Sequence, residues 1–433
     1  MQATQTDIPS FVDRAGQRVQ PAGLSDDPLS HQQWHLDAPP TEIAGTGLRD
    51  ALDTPRQLES VVVALVDTGV LPSHTDMGEL LPGYDFVSDV LAANDGDGRD
   101  DDPSDPGDWI TQAEIEDGTF NADCAVGNSS WHGTAVAGIL AANTDNMLGI
   151  AGAAPMVKIL PVRVMGRCGG TVTDLIAGVR WAAGLAVANV PLNPNPASVI
   201  NLSLGYHGRC SSAMQSAIRD ARAAGATVVT AIGNGGISLA SEPYSPASCA
   251  GVISVAAATR GGNFAQYNNR GAAIDILAPG GVPGAGLTTL DDGGTRSARN
   301  DSLFQARYGS SIATPLVSAT AAMMLAANPL LEPHQIEGLL VEYARAVSDE
   351  SQCIEHSCGG GLLDARLAVH AAATTDVREL RIDDELLSSG GGGALHPVLL
   401  LLLLLHQRGV HKIAQLVQHC RGELPRRQRK TEL

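Results

Sequence analysis

Three short sequence blocks carry side chains that could perform nucleophilic catalysis together. Asp67 follows an apolar run and precedes Thr-Gly, His132 lies in Ser-Trp-His-Gly-Thr, and Ser311 lies in Tyr-Gly-Ser-Ser-Ile-Ala-Thr-Pro. A serine hydroxyl is a weak nucleophile at neutral pH and needs a base within hydrogen-bond reach, which a histidine can supply. A carboxylate can hold that imidazole in one tautomer and stabilise its charged form. The pattern predicts that Asp67, His132 and Ser311 form a catalytic triad.

The elements around these residues predict an α/β fold. Val61–Val66 is an unbroken apolar run, which indicates a strand buried on both faces of a parallel sheet. Helices are predicted at 133–142, 173–188 and 211–224, and strands at 157–164, 198–204, 226–232 and 252–257. This alternation favours a doubly wound sheet, in which chemistry is located at the carboxyl ends of the strands. Asp67 and Asn234 both follow such strands.

The remaining segments of the globular region have weaker signals. Residues 94–108 and 283–302 are rich in Gly and Asp and are interpreted as surface loops. A helix is predicted from after Ala313 to about Asn328, with Pro315 near its start, where a missing N–H is tolerated.

Composition restricts the classes of function. The chain has 433 residues, 44% of them hydrophobic, enough for a sizeable core. The net charge of −19 would repel a phosphate backbone, which argues against nucleic-acid binding. Seven cysteines without a Cys-x-x-Cys pair indicate disulfides formed in an oxidising compartment, with buried free thiols as the alternative. Sequence alone leaves their pairing open.

The composition along the chain predicts four regions. Residues 1–24 form an N-terminal arm or propeptide remnant without a recognisable signal peptide, and residues 25–375 form the catalytic domain. Residues 376–393 are a Gly/Ser-rich linker, and residues 394–433 are an apolar and basic tail. The apolar part of this tail, Ala394–Leu405, is too short to cross a bilayer as an ordinary helix.

The triad blocks resemble the subtilisin-like (S8) serine peptidase family from about residue 30 to about residue 375. Arg167-Cys-Gly-Gly, Trp181-Ala-Ala-Gly-Leu and Asn193-Pro-Asn-Pro-Ala resemble the extracellular subtilases of Gram-negative bacteria. The resemblance implies a three-layer fold, with a central, mostly parallel sheet flanked by helices. It also implies that Asn234, in Ile-Gly-Asn-Gly, donates its amide to the oxyanion, although Asn-Gly is also a common turn. The segment Ser203, Leu204 and Gly205 would pair with an extended substrate.

The family pattern also has implications for disulfides, and the chain departs from it at two positions. Ala135 stands where the family usually has a second histidine, and Ser310 stands where it usually has threonine. The pairs implied by the resemblance are Cys168–Cys210 and Cys353–Cys358, which leaves Cys124 for Cys249.

Two regions are candidate sites for structural Ca²⁺, and no organic cofactor is expected. The resemblance implies Asp76 and the loop 144–150, including Asn146, as ligands, with Gln32 or Gln33 contributing. Separately, Asp95, Asp97 and Asp100 have the alternating oxygen spacing that suits a hard cation, although a solvated acidic loop would look the same.

These observations predict a secreted, monomeric serine endopeptidase, extracellular or on the outer cell surface, that degrades proteins or peptides broadly through an acyl-enzyme. One alternative is a selective maturation protease, since Glu242 near the specificity pocket would favour basic substrates. The other is a non-catalytic binding protein with the subtilase fold. Residues Gly390–Leu405 and the basic residues that follow resemble a GlyGly-CTERM sorting signal, which a sorting protease would recognise.

Overall fold

The computed structural model describes residues 25–39 and 41–376, without the side chains of 354–356. The regions assigned to 1–24, to the linker beyond Asp376 and to the tail lie outside the described residues. Strands β1 to β11 are Val61–Asp67, Tyr84–Asp85, Val157–Arg163, Val199–Leu202, Tyr206–His207, Thr227–Ala231, Tyr244–Ser245, Ile253–Ala258, Ile276–Pro279, Leu287–Asp291 and Leu303–Arg307. Helices α1 to α10 are Leu48–Ala51, Val90–Ala93, Gln112–Glu116, His132–Ala141, Val172–Ala182, Ser212–Ala223, Ser310–Ala327, Pro333–Glu342, Glu350–His356 and Ala365–Thr374. Two 3₁₀ turns, Ser30–Gln32 and Trp34–Leu36, precede them.

A seven-stranded sheet in the order β2-β3-β1-β4-β6-β8-β9 forms the centre of the domain. Every neighbouring pair in it is parallel, which confirms the predicted α/β class. The carboxyl ends of parallel strands lie at one edge of a sheet. The residues that follow the central strands β1, β4 and β6 therefore come together at that edge.

Helix α7 lies in the core and packs against five strands of this sheet, β1, β4, β6, β8 and β9. It is long and apolar enough to cross a membrane, yet every residue of it except Ser311 is buried inside the domain, so core packing explains its composition. It begins at Ser310, not after Ala313 as predicted, and Pro315 therefore lies inside the helix instead of in its first turn.

Two other predictions need correction. The helix predicted at 173–188 ends at Ala182, because Gly184 adopts a left-handed φ of 78° just beyond it. The loop predicted at 283–302 contains β10, which pairs antiparallel with β11. Leu287 and Leu290 are fully buried in this hairpin, and their burial, not local composition, makes the segment a strand.

Three disulfides cross-link the domain: Cys124–Cys168, Cys210–Cys249 and Cys353–Cys358. The last is the pair implied by the family resemblance, whereas the expected pairs Cys168–Cys210 and Cys124–Cys249 are wrong. The Cα atoms of Cys124 and Cys168 are 5.1 Å apart. Arg167, next to Cys168, stacks on Trp109 and Phe120 and so holds the segment before Cys124 close to Cys168.

Cys210 lies at the start of α6 and faces the turn that contains Cys249. The Gln215 side chain donates to the Ala250 carbonyl at 2.8 Å and accepts from its N–H at 2.9 Å, which holds this turn against the helix.

Candidate active site

Asp67 and His132 meet where β1 ends and α4 begins. Asp67 is the last residue of β1 and is completely buried, while His132 is the first residue of α4 and is partly exposed. His132 Nδ1 lies 2.7 Å from Asp67 Oδ1, so Nδ1 carries the proton and Nε2 is left free to act as a base. Burial lowers the pKa of His132, but the charge and hydrogen bond of Asp67 outweigh it, and the net shift is upward.

The residues next to the pair fix its backbone. Thr68 donates its hydroxyl to buried Asp105 at 2.8 Å and accepts from the Gly133 N–H at 3.0 Å. Burial raises the pKa of Asp105 to about 7. The Asp108 carboxylate accepts from both the N–H and the hydroxyl of Ser130, two residues before His132. These contacts join the end of β1 to the start of α4.

Ser311 is the second residue of α7 and is partly exposed. Its carbonyl accepts a hydrogen bond from the Ser203 hydroxyl at 2.7 Å, which places it beyond the end of β4, the strand next to β1. His132 contacts the end of β1, and Ser311 contacts the residue that follows β4, so both helix starts lie at the same sheet edge. Among the described hydrogen bonds there is none between the Ser311 hydroxyl and His132, and such contacts are often long without substrate.

Asn234 lies beyond the end of β6, and its side chain is oriented by Ser310. Asn234 Oδ1 accepts from the Ser310 N–H at 2.8 Å and from the Ser310 hydroxyl at 2.9 Å. The Nδ2 amide of Asn234 takes no part in these two hydrogen bonds. A Cβ built at Gly309 would lie 3.2 Å from Asn234 Nδ2 and 3.2 Å from Ser311 Oγ, so both side chains lie beside the position that a Gly309 side chain would occupy. An oxyanion would find a donor there.

The predicted substrate-binding segment lies beside an aromatic side chain. The pairing of β4 with β1 and β6 ends at Leu202, so Ser203, Leu204 and Gly205 lie just beyond the sheet. A Cβ at Gly205 would overlap the Tyr244 ring, and one at Gly233 would approach that ring to 2.9 Å. The ring of Tyr244 therefore lies between the segment that ends at Gly205 and the one that precedes Asn234.

The carboxylate predicted to bind calcium is occupied by N–H donors. Asp76 accepts from Asn146 Nδ2 at 2.8 Å and from the Ile150 N–H at 2.9 Å, and burial raises its pKa to about 6. Asn146 Oδ1 accepts from the Leu148 N–H, and the Gln33 amide is bonded to the backbone of Ala151. These hydrogen bonds hold Asp76 against the predicted 144–150 loop and Gln33 against the residue that follows it, and calcium binding there stays a prediction.

The acidic loop is also held by protein contacts. Asp95 pairs with the buried Arg163 at 2.5 Å, and Asp97 and Asp100 lie in turns stabilised by side-chain to backbone hydrogen bonds. In the described part of the chain, the one group of three acidic side chains that converge within 4.8 Å is Asp26, Asp27 and Asp145. Carboxylate oxygens are the ligands that Ca²⁺ prefers, so this group is a third candidate site, and Asp26 and Asp27 also accept backbone N–H bonds from residues 145–147.

Sequence reasoning missed several contributors to this site. Gly309 stands inside a recognised block, but only the geometry shows that Asn234 and Ser311 lie beside it. Asp105 lies in the segment interpreted as a surface loop, although it is only 4% exposed and contacts the residue after Asp67. Tyr244 had no signal, because its position depends on the pairing of β5 with β7.

Comparison with known proteins identifies what this chain resembles. A model of the subtilase family (Peptidase S8) matches residues 59–361. The chain is 41% identical over 343 residues to an extracellular protease of Xanthomonas campestris pv. campestris, covering 79% of this chain and 56% of that protein. It is 38% identical over 364 residues to an extracellular basic protease of Dichelobacter nodosus, covering 81% and 56%. The chain thus spans little more than half the length of these relatives.

A solved structure from Pseudoalteromonas arctica PAMC 21717, titled as proteases, matches with a TM-score of 0.72 and 40% identity. The match covers 81% of this chain and 99% of that one.

Proposed function

The chain belongs to the subtilase family, and from this we propose that it is a secreted serine endopeptidase that hydrolyses peptide bonds through an acyl-enzyme. The family match agrees with the sequence resemblance to extracellular subtilases of Gram-negative bacteria, whose members in the comparison are named extracellular proteases. The observation that carries the proposal is the contact of 2.7 Å between buried Asp67 and His132 at the sheet edge that also holds Ser311 and Asn234.

The proposed reaction uses these four side chains in sequence. Ser311 attacks the substrate carbonyl while His132 Nε2 accepts its proton, and His132 then gives that proton to the leaving amine. Asp67 holds the imidazole through Nδ1 and stabilises its positive charge. The Asn234 amide stabilises the tetrahedral oxyanion, a contribution of about 2.7–4 kcal/mol for one such donor. Water then repeats the steps to release the acyl group.

The substrate is a protein or peptide bound in extended form. Its backbone pairs with Ser203, Leu204 and Gly205, whose main chain lies beyond the sheet ladder. We retain degradation of many proteins by a monomer as the working function, with selective maturation as the alternative. Glu242, the candidate for recognition of basic residues, is exposed, whereas Tyr244 lies against the binding segment. The Tyr244 ring favours selection of substrate side chains by size over selection by charge.

The test is hydrolysis of casein by the wild-type chain, with and without a serine-directed fluorophosphonate, beside Ser311→Ala. We expect wild type to cleave casein and to be labelled and inactivated by the probe, and Ser311→Ala to do neither. Ser212→Ala is the matched control, because Ser212 is likewise an exposed serine in the first turn of a helix. It should retain both activity and labelling.

Two other outcomes would change the proposal. A folded wild type that neither cleaves nor labels would favour a binding protein with the subtilase fold. Labelling that persists in Ser311→Ala would mean that another serine is the nucleophile.

The proposal also covers where the protein is located and which ion stabilises it. Three disulfides suit an oxidising, extracellular compartment. We propose that structural Ca²⁺ binds at Asp26, Asp27 and Asp145, where it would neutralise converging carboxylates and hold the 145–147 loop. Removal of the tail by a sorting protease remains a proposal that concerns residues outside the described part of the chain.

A further inference from the structure

Helix α7 contains a proline at a position that affects the proposed nucleophile. In an α-helix the N–H of each residue bonds to the carbonyl four residues earlier. The residue four positions after Ser311 is Pro315, which has no N–H, and its ring also crowds that carbonyl. The Ser311 carbonyl therefore cannot receive the hydrogen bond that an ordinary helix would give it.

A hydroxyl just beyond the end of β4 supplies the hydrogen bond that Pro315 cannot give. The Ser203 hydroxyl donates to the Ser311 carbonyl at 2.7 Å. Ser203 is almost completely buried, and it is the first residue of the segment proposed to pair with the substrate backbone. One hydroxyl thus joins the substrate-binding segment to the backbone of the nucleophile.

A second contact holds this hydroxyl in place. Asn201 Nδ2 donates to Ser203 Oγ at 3.0 Å, and Asn201 Oδ1 accepts from the Ser318 hydroxyl at 2.8 Å. Asn201 and Ser318 are both fully buried. Ser311 and Ser318 are seven residues apart on α7, so they lie on the same face of the helix. The hydrogen-bonded series Ser318–Asn201–Ser203–Ser311 therefore attaches α7 to the end of β4 at two points about two turns apart.

We propose that Ser203 is a positioning residue for Ser311, and that its hydroxyl is required because Pro315 removes the helical donor. The proposal rests on the endopeptidase function proposed above. Ser203 acts here through its side chain, independently of any pairing of its backbone with substrate. Loss of the Ser203 hydroxyl leaves a partly buried carbonyl without this donor, and the carbonyl belongs to the residue that must attack.

The test is a double-mutant cycle built on the proline. Ser203→Ala removes the donor, and Pro315→Ala supplies a new N–H four residues after Ser311. We expect Ser203→Ala to lower kcat, and the rate of fluorophosphonate labelling, by about 10-fold to 100-fold, with KM changed less than about twofold. In the Pro315→Ala background the same substitution should cost less than about threefold, because the helix now satisfies the carbonyl itself.

Two further variants separate positioning from general stability. Ser203→Thr keeps the hydroxyl and should restore most of kcat. Thr320→Ala removes a buried hydroxyl of the same helix, which donates to the Leu316 carbonyl and lies outside this network, so it should lower the melting temperature and leave kcat within about twofold. If Ser203→Ala does not fold, Ser203→Cys, with its weaker S–H donor, replaces it and should give a smaller loss of kcat that Pro315→Ala again reduces.

Different results would overturn the positioning role of Ser203 and the endopeptidase proposal. An active wild type in which Ser203→Ala costs the same factor in both backgrounds, or costs nothing, overturns the positioning role alone. Loss of kcat in Thr320→Ala equal to that in Ser203→Ala also overturns it. A wild type that neither cleaves nor labels overturns the endopeptidase proposal and the role of Ser203 with it.

Discussion

Asp67 Oδ1 and His132 Nδ1 are 2.7 Å apart, with the carboxylate completely buried and the imidazole partly open to solvent. This asymmetry means that the charge of Asp67 acts on His132 without solvent screening, while the far side of the ring remains accessible. The pKa of His132 is consequently raised, in spite of the opposing effect of burial. In the proposed reaction His132 must be deprotonated to accept the proton of Ser311, so its raised pKa would set the lower pH limit of activity.

We predict that kcat/KM rises with pH through an apparent pKa above 6.5, the ordinary value for histidine. In Asp67→Asn the imidazole loses the charge that keeps it protonated, so the acid limb should move to lower pH. Activity on the plateau should fall on the order of 10⁴-fold, because the amide no longer favours the reactive tautomer. A pH–rate profile of both proteins with a peptide anilide measures this. An acid limb that stays at the same pH in Asp67→Asn would contradict the assignment.

We predict that Gly309→Ala blocks catalysis without preventing folding. The added Cβ would lie 3.2 Å from both Asn234 Nδ2 and Ser311 Oγ, in the space proposed for the oxyanion. The loss in kcat should reach at least about 10²-fold, the effect of removing one oxyanion donor. Steady-state kinetics and the rate of fluorophosphonate labelling measure it.

The positive φ of Gly309, 142°, adds backbone strain that a control must reproduce. Gly225→Ala serves this purpose, because Gly225 has φ of 96° and nothing within 4 Å of an added Cβ. It should be destabilised to a similar extent but keep its kcat. Equal kcat losses in the two variants would show that strain, not the filled space, is responsible.

We predict that Tyr244 restricts the side chain accepted before the scissile bond. Its ring lies between Gly205 and Gly233, where a substrate paired with 203–205 would direct that side chain. Wild type should prefer Ala over Phe at this position, and Tyr244→Gly should raise kcat/KM for Phe by about 10-fold or more. Matched peptide anilides measure the ratio. Tyr244→Phe keeps the ring and should keep the preference, and a wild type that cleaves both peptides equally well would contradict the role.

The sequence predicts the parts of this site that depend on local pattern. The apolar run before Asp67 identifies β1, and the parallel sheet then places Asp67 at the edge where chemistry occurs. The Tyr244–Gly205 contact and the Cys124–Cys168 bond could not be predicted, because each joins segments far apart in sequence. The start of α7 was misplaced because proline was expected in a first turn, whereas Ser203 compensates for Pro315 inside the helix.

We predict that His35 makes the fold sensitive to acid. His35 is fully buried, and neither ring nitrogen has a hydrogen-bond partner among the described residues. Burial, reinforced by the charge of Arg49, lowers its pKa from 6.5 to about 3. Between pH 6.5 and about 3, His35 is therefore protonated in the unfolded chain but neutral in the folded chain. The free energy of unfolding consequently falls as pH drops through this range, by at most about 1.4 kcal/mol per pH unit.

Replacement by a ring that cannot titrate should remove this dependence. In a Ser311→Ala background, which prevents self-digestion, His35→Phe should match its parent at pH 7 within about 1 kcal/mol, since no hydrogen bond is lost. At pH 4.5 it should be the more stable by about 2–3 kcal/mol. Denaturant unfolding at both pH values measures the difference. Parallel losses of stability in the two proteins would exclude His35 as the source.

We predict that Ca²⁺ raises the melting temperature through Asp145. A ligand that binds only the folded chain stabilises it by about 2.7 kcal/mol at a concentration 100 times its Kd, roughly 4 °C for a domain of about 350 residues. In the Ser311→Ala background, Asp145→Asn removes one of three converging carboxylates and should abolish most of the calcium-dependent shift. Asp97→Asn removes the same charge from the other acidic loop and should keep the shift. The reverse pattern would place the ion in the 94–108 loop, and no shift in any variant would argue against a structural calcium at either position.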